Sequence, residues 1–120
     1  MSLEASPGSV IYQREDKDLD FAIRDQDGNP FNLNDASEII VLFRNEDESV
    51  LIKRLSNAQI TPTNAGGGLI RVRVPAADSK LLKIGDNQSV EIRVTIKGLV
   101  SIAPAKNQLT VLASLFPEVD

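Results

Sequence analysis

Leu69-Ile-Arg-Val-Arg-Val74, followed at once by Pro75-Ala-Ala-Asp-Ser-Lys-Leu-Leu-Lys-Ile-Gly85, is the stretch that decides the fold. In its first half Ile70, Val72 and Val74 alternate with Arg71 and Arg73, so a strand shows apolar side chains on one face and cations on the other. In its second half a proline suited to the first turn of a helix opens a short helical piece, on which Leu81, Leu82 and Ile84 pack down before Gly85 ends it. This piece is expected to cap one end of a β-sandwich.

The same alternation recurs on both sides. Leu19, Phe21 and Ile23 alternate with Asp18, Asp20, Ala22 and Arg24, and Asp25-Gln-Asp-Gly-Asn-Pro30 then supplies a turn. Ile39-Ile-Val-Leu-Phe43 is apolar on both faces, and across the charged tip Asn45-Glu-Asp-Glu-Ser49 it forms a hairpin with Val50-Leu-Ile-Lys-Arg-Leu55. Gly66-Gly-Gly68 breaks regular structure and reads as a mobile loop. Val90, Ile92, Val94 and Ile96 alternate with Glu91, Arg93, Thr95 and Lys97, and Gly98 allows a tight hairpin into Leu99-Val-Ser-Ile102. Leu109 to Leu115 closes the chain as a last strand. The pattern predicts an all-β, immunoglobulin-like antiparallel β-sandwich of about seven to nine strands with one short helix. The likeness is one of architecture, because the cysteine pair and strand Trp of antibody domains are missing and Tyr12 comes too early for a tyrosine corner.

The 120 residues fit one domain, with residues 1–8 expected as a flexible lead-in and 9–120 as the sandwich. Hydrophobic residues at 42% and charged residues at 25% describe a folded, soluble chain, and no apolar run approaches the ~20 residues of a membrane span. With no cysteine, stability rests on packing rather than on disulfides. A net charge of −4 with dispersed Lys and Arg argues against a nucleic-acid surface.

The absence of His and Cys removes the usual residues of acid–base, nucleophilic and metal chemistry, so no catalytic, cofactor or metal site is assigned. Asp16, Asp18 and Asp20 read as a solvated strand face. Asp25, Asp27 and Asn29 open like a calcium loop, but Pro30 stands where that loop needs glycine and Ala36 where it needs a bidentate Glu. The glycine triplet lacks the Lys-Ser/Thr of a phosphate loop. Arg71 and Arg73 suit either an anionic partner or cross-strand pairing with Asp20 or Glu91. The remaining feature is apolar residues on faces that alternation leaves wet: Ile40, Leu42, Leu112 and Phe116. Either they form an interface, with Arg71, Arg73 and Glu91 as its charged rim, or the helical piece or N-terminal arm covers them.

The order of elements resembles the N-terminal domain of phage baseplate upper proteins and related phage tail modules. The matching segments are Asp18–Arg24, the Asp-Gly turn of Asp25–Pro30, the link Phe31–Ala36, the apolar strand Ile39–Arg44, Leu69–Val74, Leu81–Gly85, Val90–Thr95 and Gln108–Val111. The chain departs from the family pattern at Gln13-Arg-Glu-Asp16, where many members show a Gly-Asp-Thr-like start, and it lacks the long extension that carries receptor-binding parts. The resemblance implies a non-enzymatic tail or baseplate component that associates with itself or with neighbouring tail proteins, in the virion or in the host cytoplasm during assembly. A carbohydrate- or protein-binding sandwich of a bacterial surface or secreted system is the alternative, although one Tyr, four Phe and no Trp leave few sugar platforms.

Overall fold

Two sheets face each other across one apolar core in the computed structural model, which describes residues 3–6, 9–12, 15–45, 48–82 and 85–112. The strands are β1 (Leu3–Ser6), β2 (Ser9–Tyr12), β3 (Lys17–Asp25), β4 (Ala36–Asn45), β5 (Glu48–Arg54), β6 (Ile60–Asn64), β7 (Leu69–Val74), β8 (Gly85–Ile96) and β9 (Leu99–Leu112). A one-turn helix, α1 (Ala76–Ser79), lies between β7 and β8. The smaller sheet runs β1-β3-β7-β6 and the larger β2-β9-β8-β4-β5. All pairings are antiparallel except that of β2 with β9, so the architecture is a two-sheet, mostly antiparallel β-sandwich.

Alternation explains the core directly. Leu19, Phe21 and Ile23 of β3 and Ile70, Val72 and Val74 of β7 turn inward from one sheet, against Ile39, Val41 and Phe43 of β4 and Val90, Ile92 and Val94 of β8 from the other. Leu33 and Leu82 are buried with them, and Leu82 sits just beyond α1, as expected of a segment that caps the sandwich. Leu81, its neighbour, is exposed. Ile84 lies outside the described residues.

Two parts of the sequence reading change, and one strand is added to it. The expected lead-in contributes β1, antiparallel to β3, while β2 joins the other sheet parallel to β9, so the first strand is split between the layers. Ile60–Asn64 is a strand despite Pro62, because β6 is an edge and a missing N–H is tolerated there. The glycine triplet is a packed turn rather than a mobile loop. Ala65–Gly67 form one 3₁₀ turn, closed by Gly67 N–H donating to Asn64 Oδ1 at 3.1 Å. The turn is stitched to its surroundings by Leu33 N–H on the Ala65 carbonyl and Ile23 N–H on the Gly68 carbonyl, both at 2.8 Å. Gly68 itself is buried at φ 73°, and a Cβ there would stand 2.4 Å from the Ile23 carbonyl oxygen.

The edge strand β5 carries an unusual inward residue. Lys53, between the exposed Ile52 and the half-buried Arg54, is only 5% exposed, and its ammonium donates to the Asp78 carboxylate of α1. One ion pair thus pins the cap to the sheet edge, and an inward charge on an edge strand discourages pairing with a foreign strand.

Candidate association face

The larger sheet exposes a face whose composition can be read row by row from the strand register. Glu38, Ile40, Leu42 and Arg44 of β4 point outward between the buried Ile39, Val41 and Phe43. Across β8 their partners are Thr95, Arg93, Glu91 and Ser89. One further strand out, β9 places Val100 beside Thr95 and Ile102 beside Arg93. On the other side β5 places Arg54 beside Ile40 and Ile52 beside Leu42. Ile40 and Leu42 are half-buried by these neighbours, whereas Ile52, Ile102 and Val100 keep 48%, 43% and 60% of their surface in solvent.

The face therefore carries aliphatic residues on β4, β5 and β9 and a polar stripe along β8. Its central pair is Arg93 Nε to Glu91 Oε2 at 2.9 Å, two residues apart on β8. Glu38 is held by the turn after β5: Ser56 N–H donates at 3.0 Å, Ser56 Oγ–H donates as well, and Ile39 N–H adds a bond at 3.1 Å. The Ser56 hydroxyl bond, opposed by slight desolvation, holds the Glu38 carboxyl below its usual pKa.

Among the described residues, neither covering element expected from the sequence lies over this face. α1 reaches Lys53, which points into the sandwich, and β1 and β2 are themselves members of the two sheets. Among the described residues Ile40 and Leu42 belong to a face that remains open at Ile52, Val100 and Ile102.

Arg71 and Arg73 do not rim it. They project from β7 on the outer face of the smaller sheet, the opposite side of the sandwich, because β7 pairs with β3 and β6 and never with β8. Arg71 Nε meets Asp20 Oδ1 at 2.8 Å, and Arg73 meets Asp18 at 3.3 Å and Asp16 at 3.7 Å. The Arg71 hydrogen bond lowers the Asp20 pKa, and Asp20 in turn raises that of Arg71. All of these groups are well exposed, so the pairs organise a surface rather than a pocket. Glu91 stays with the larger sheet, paired to Arg93 rather than to either arginine of β7.

Leu112 ends β9 in register with Tyr12, eight residues beyond the row of Glu91 and Pro104. At ~3.4 Å per residue that is about 27 Å along the strand, so Leu112 is not part of one patch with Leu42. Phe116 lies outside the described residues. The acidic turn is self-contained: Asp25 Oδ1 accepts from Asp27 N–H at 2.9 Å and Asn29 N–H at 3.0 Å.

Ile52, Val100 and Ile102 escaped the sequence reading. A usable signal was present in Leu51-Ile-Lys53, where placing Ile52 outward requires a lysine to point inward, contrary to the usual sorting.

A two-sheet β-sandwich with one wide, partly apolar sheet face is the class that fold and site define. No protein-family model matches the chain, and no curated protein matches it in sequence. Among solved structures it is similar to the endo-β-1,4-mannanase from Thermotoga petrophila, at 11% identity over 93% of this chain with a TM-score of 0.54. The match spans 20% of the mannanase chain, and at that identity it speaks to the fold alone.

Proposed function

We propose that the chain is a non-enzymatic association module that docks through the outer face of the larger sheet, in the setting of a phage or prophage tail or baseplate. The observation that carries the docking reading is the open apolar flanks at Ile52, Val100 and Ile102 around the half-buried Ile40 and Leu42. Sheet edges suit docking less well, since Pro62 blunts β6 and inward Lys53 blunts β5. The tail setting rests on the resemblance in element order from Asp18 to Val111. Association would draw on apolar burial at ~25 cal/mol per Å², with the charged residues of the face setting orientation.

Leu42→Lys and Ile102→Lys test the reading. Both side chains point away from the core, so melting should stay within a few degrees of wild type while light scattering shows assembly lost. A variant that unfolds, or one that assembles as before, refutes it.

A carbohydrate-binding sandwich is the second reading, suggested by the similarity in fold to part of a mannanase. Its weakness is aromatic supply: Phe21 and Phe43 are buried, and Phe31 and Tyr12 half-buried. Retention on insoluble mannan that is lost in Tyr12→Ala would establish it.

A further inference from the structure

The outward residues of the two central strands repeat in reverse with their charges exchanged. On β4 they read Glu38, Ile40, Leu42, Arg44, so the row of Val41 is flanked first by two aliphatic residues and then by an acid and a base. On β8 they read Glu91, Arg93 and Thr95, so the row of Ile92 is flanked by an acid and a base. Val41 and Ile92 are register partners, so both patterns turn about one row across the sheet.

A pattern of this kind is complementary to itself. A two-fold axis lying in the face and crossing the strands at the Val41–Ile92 row superposes each position on its mirror position in a second copy, strands antiparallel. Ile40 then meets the partner's Leu42, Glu91 meets the partner's Arg93, and Glu38 meets the partner's Arg44. On β4 and β8 apolar falls on apolar and acid on base, each pair occurring twice, as an isologous interface requires, while at the β5 flank Arg54 falls on the partner's Ile52. An axis along the strands does worse, since it sets charged β8 residues on β4 aliphatics or like charges on each other. Resting on the docking reading above, we infer that the occupant of this face is a second copy of the same chain, packed sheet on sheet about that axis, with the exchange of Glu91–Arg93 pairs fixing its register.

Two single variants and their mixture decide this by sedimentation. Glu91→Arg sets Arg on Arg and Arg93→Glu sets Glu on Glu, so each should weaken self-pairing by about tenfold or more. Mixed in equal amounts, they should form a heterodimer with near wild-type affinity, and the double variant Glu91→Arg/Arg93→Glu should pair with itself again. A wild type that stays monomeric at millimolar concentration, or a mixture no tighter than its components, overturns the inference. If wild type assembles and Leu42→Lys does not, while the charge mixture fails, the two-fold register falls and the docking reading stands. If Leu42→Lys assembles unchanged, both fall.

Discussion

Replacing Gly68 by alanine should be the most damaging one-methyl change in the protein. Two costs combine there. The backbone sits at φ 73°, where an L side chain costs about 1–2 kcal/mol, partly offset by the lower entropy of the unfolded alanine chain. The new Cβ would also stand 2.4 Å from the Ile23 carbonyl oxygen and 2.9 Å from that of Phe31, both backbone atoms that cannot swing aside. Relieving the overlap must move β3 or the Phe31 segment and strain the bonds from Ile23 N–H to Gly68 and from Phe31 N–H to Ile23, at 2.8 and 2.9 Å. Overpacking of this kind costs about 1–3 kcal/mol. The sum is roughly 3–4 kcal/mol, or about 10–15 °C of melting temperature for a domain of this size. Gly28→Ala is the internal control: its φ is 83°, yet nothing lies within 4 Å of the added carbon, so only the conformational cost of about 1 kcal/mol applies. Urea unfolding followed by circular dichroism measures both. If the two variants differ by less than about 1 kcal/mol, the packed-turn account of the glycine triplet is wrong.

Asp78→Ala strands the buried Lys53 ammonium and should cost about 2 kcal/mol in urea unfolding, less than a fully enclosed pair because Asp78 is 31% exposed. Lys53→Met should cost under about 1 kcal/mol yet raise aggregation in light scattering, because the edge of β5 loses its inward charge. Val41→Ala should cost about 2 kcal/mol from a fully buried site, while Leu42→Ala, one residue away on the wet face, should cost well under half of that in the same melt. Asp20 and Glu38 both have lowered native pKa values, so the stability they supply is complete above their unfolded pKa values near 4 and is lost as pH falls through the lowered native ones. Asp20→Asn should flatten that acid limb by less than about 1 kcal/mol, since the pair with Arg71 is exposed.

On β3 and β7 the face each side chain takes was legible in the residues; which sheet each strand joins was not, and on β5 the inward Lys53 inverts the usual sorting. Period-two alternation sorts Ile70, Val72 and Val74 from Arg71 and Arg73 with no knowledge of partners, and the structure agrees. It sorts Glu91 outward equally well, yet cannot tell that β8 and β7 lie in opposite layers, because pairing depends on contacts far apart in sequence. Of the residues grouped from sequence as one candidate face, Ile40, Leu42 and Glu91 share a sheet, and Arg71 and Arg73 lie on the opposite one. Glycine-rich composition misled at Gly66–Gly68 for a related reason. Three glycines look the same whether a loop needs freedom or whether a neighbouring backbone leaves no room for a Cβ, and only the approach of β3 distinguishes the two.

The parallel pairing of β2 with β9 bears on how the chain must be made. Tyr12 finds its register partner in Leu112, a hundred residues later. At the ~5–20 residues per second of protein synthesis, the earlier strand waits about 5–20 s before its neighbour exists. As β3, β4, β7 and β8 are added in turn within that interval, β9 is still missing, and their apolar faces have no closed layer to bury them. A nascent sandwich of this design is exposed to other nascent copies during synthesis, before its own last strand arrives to seal it.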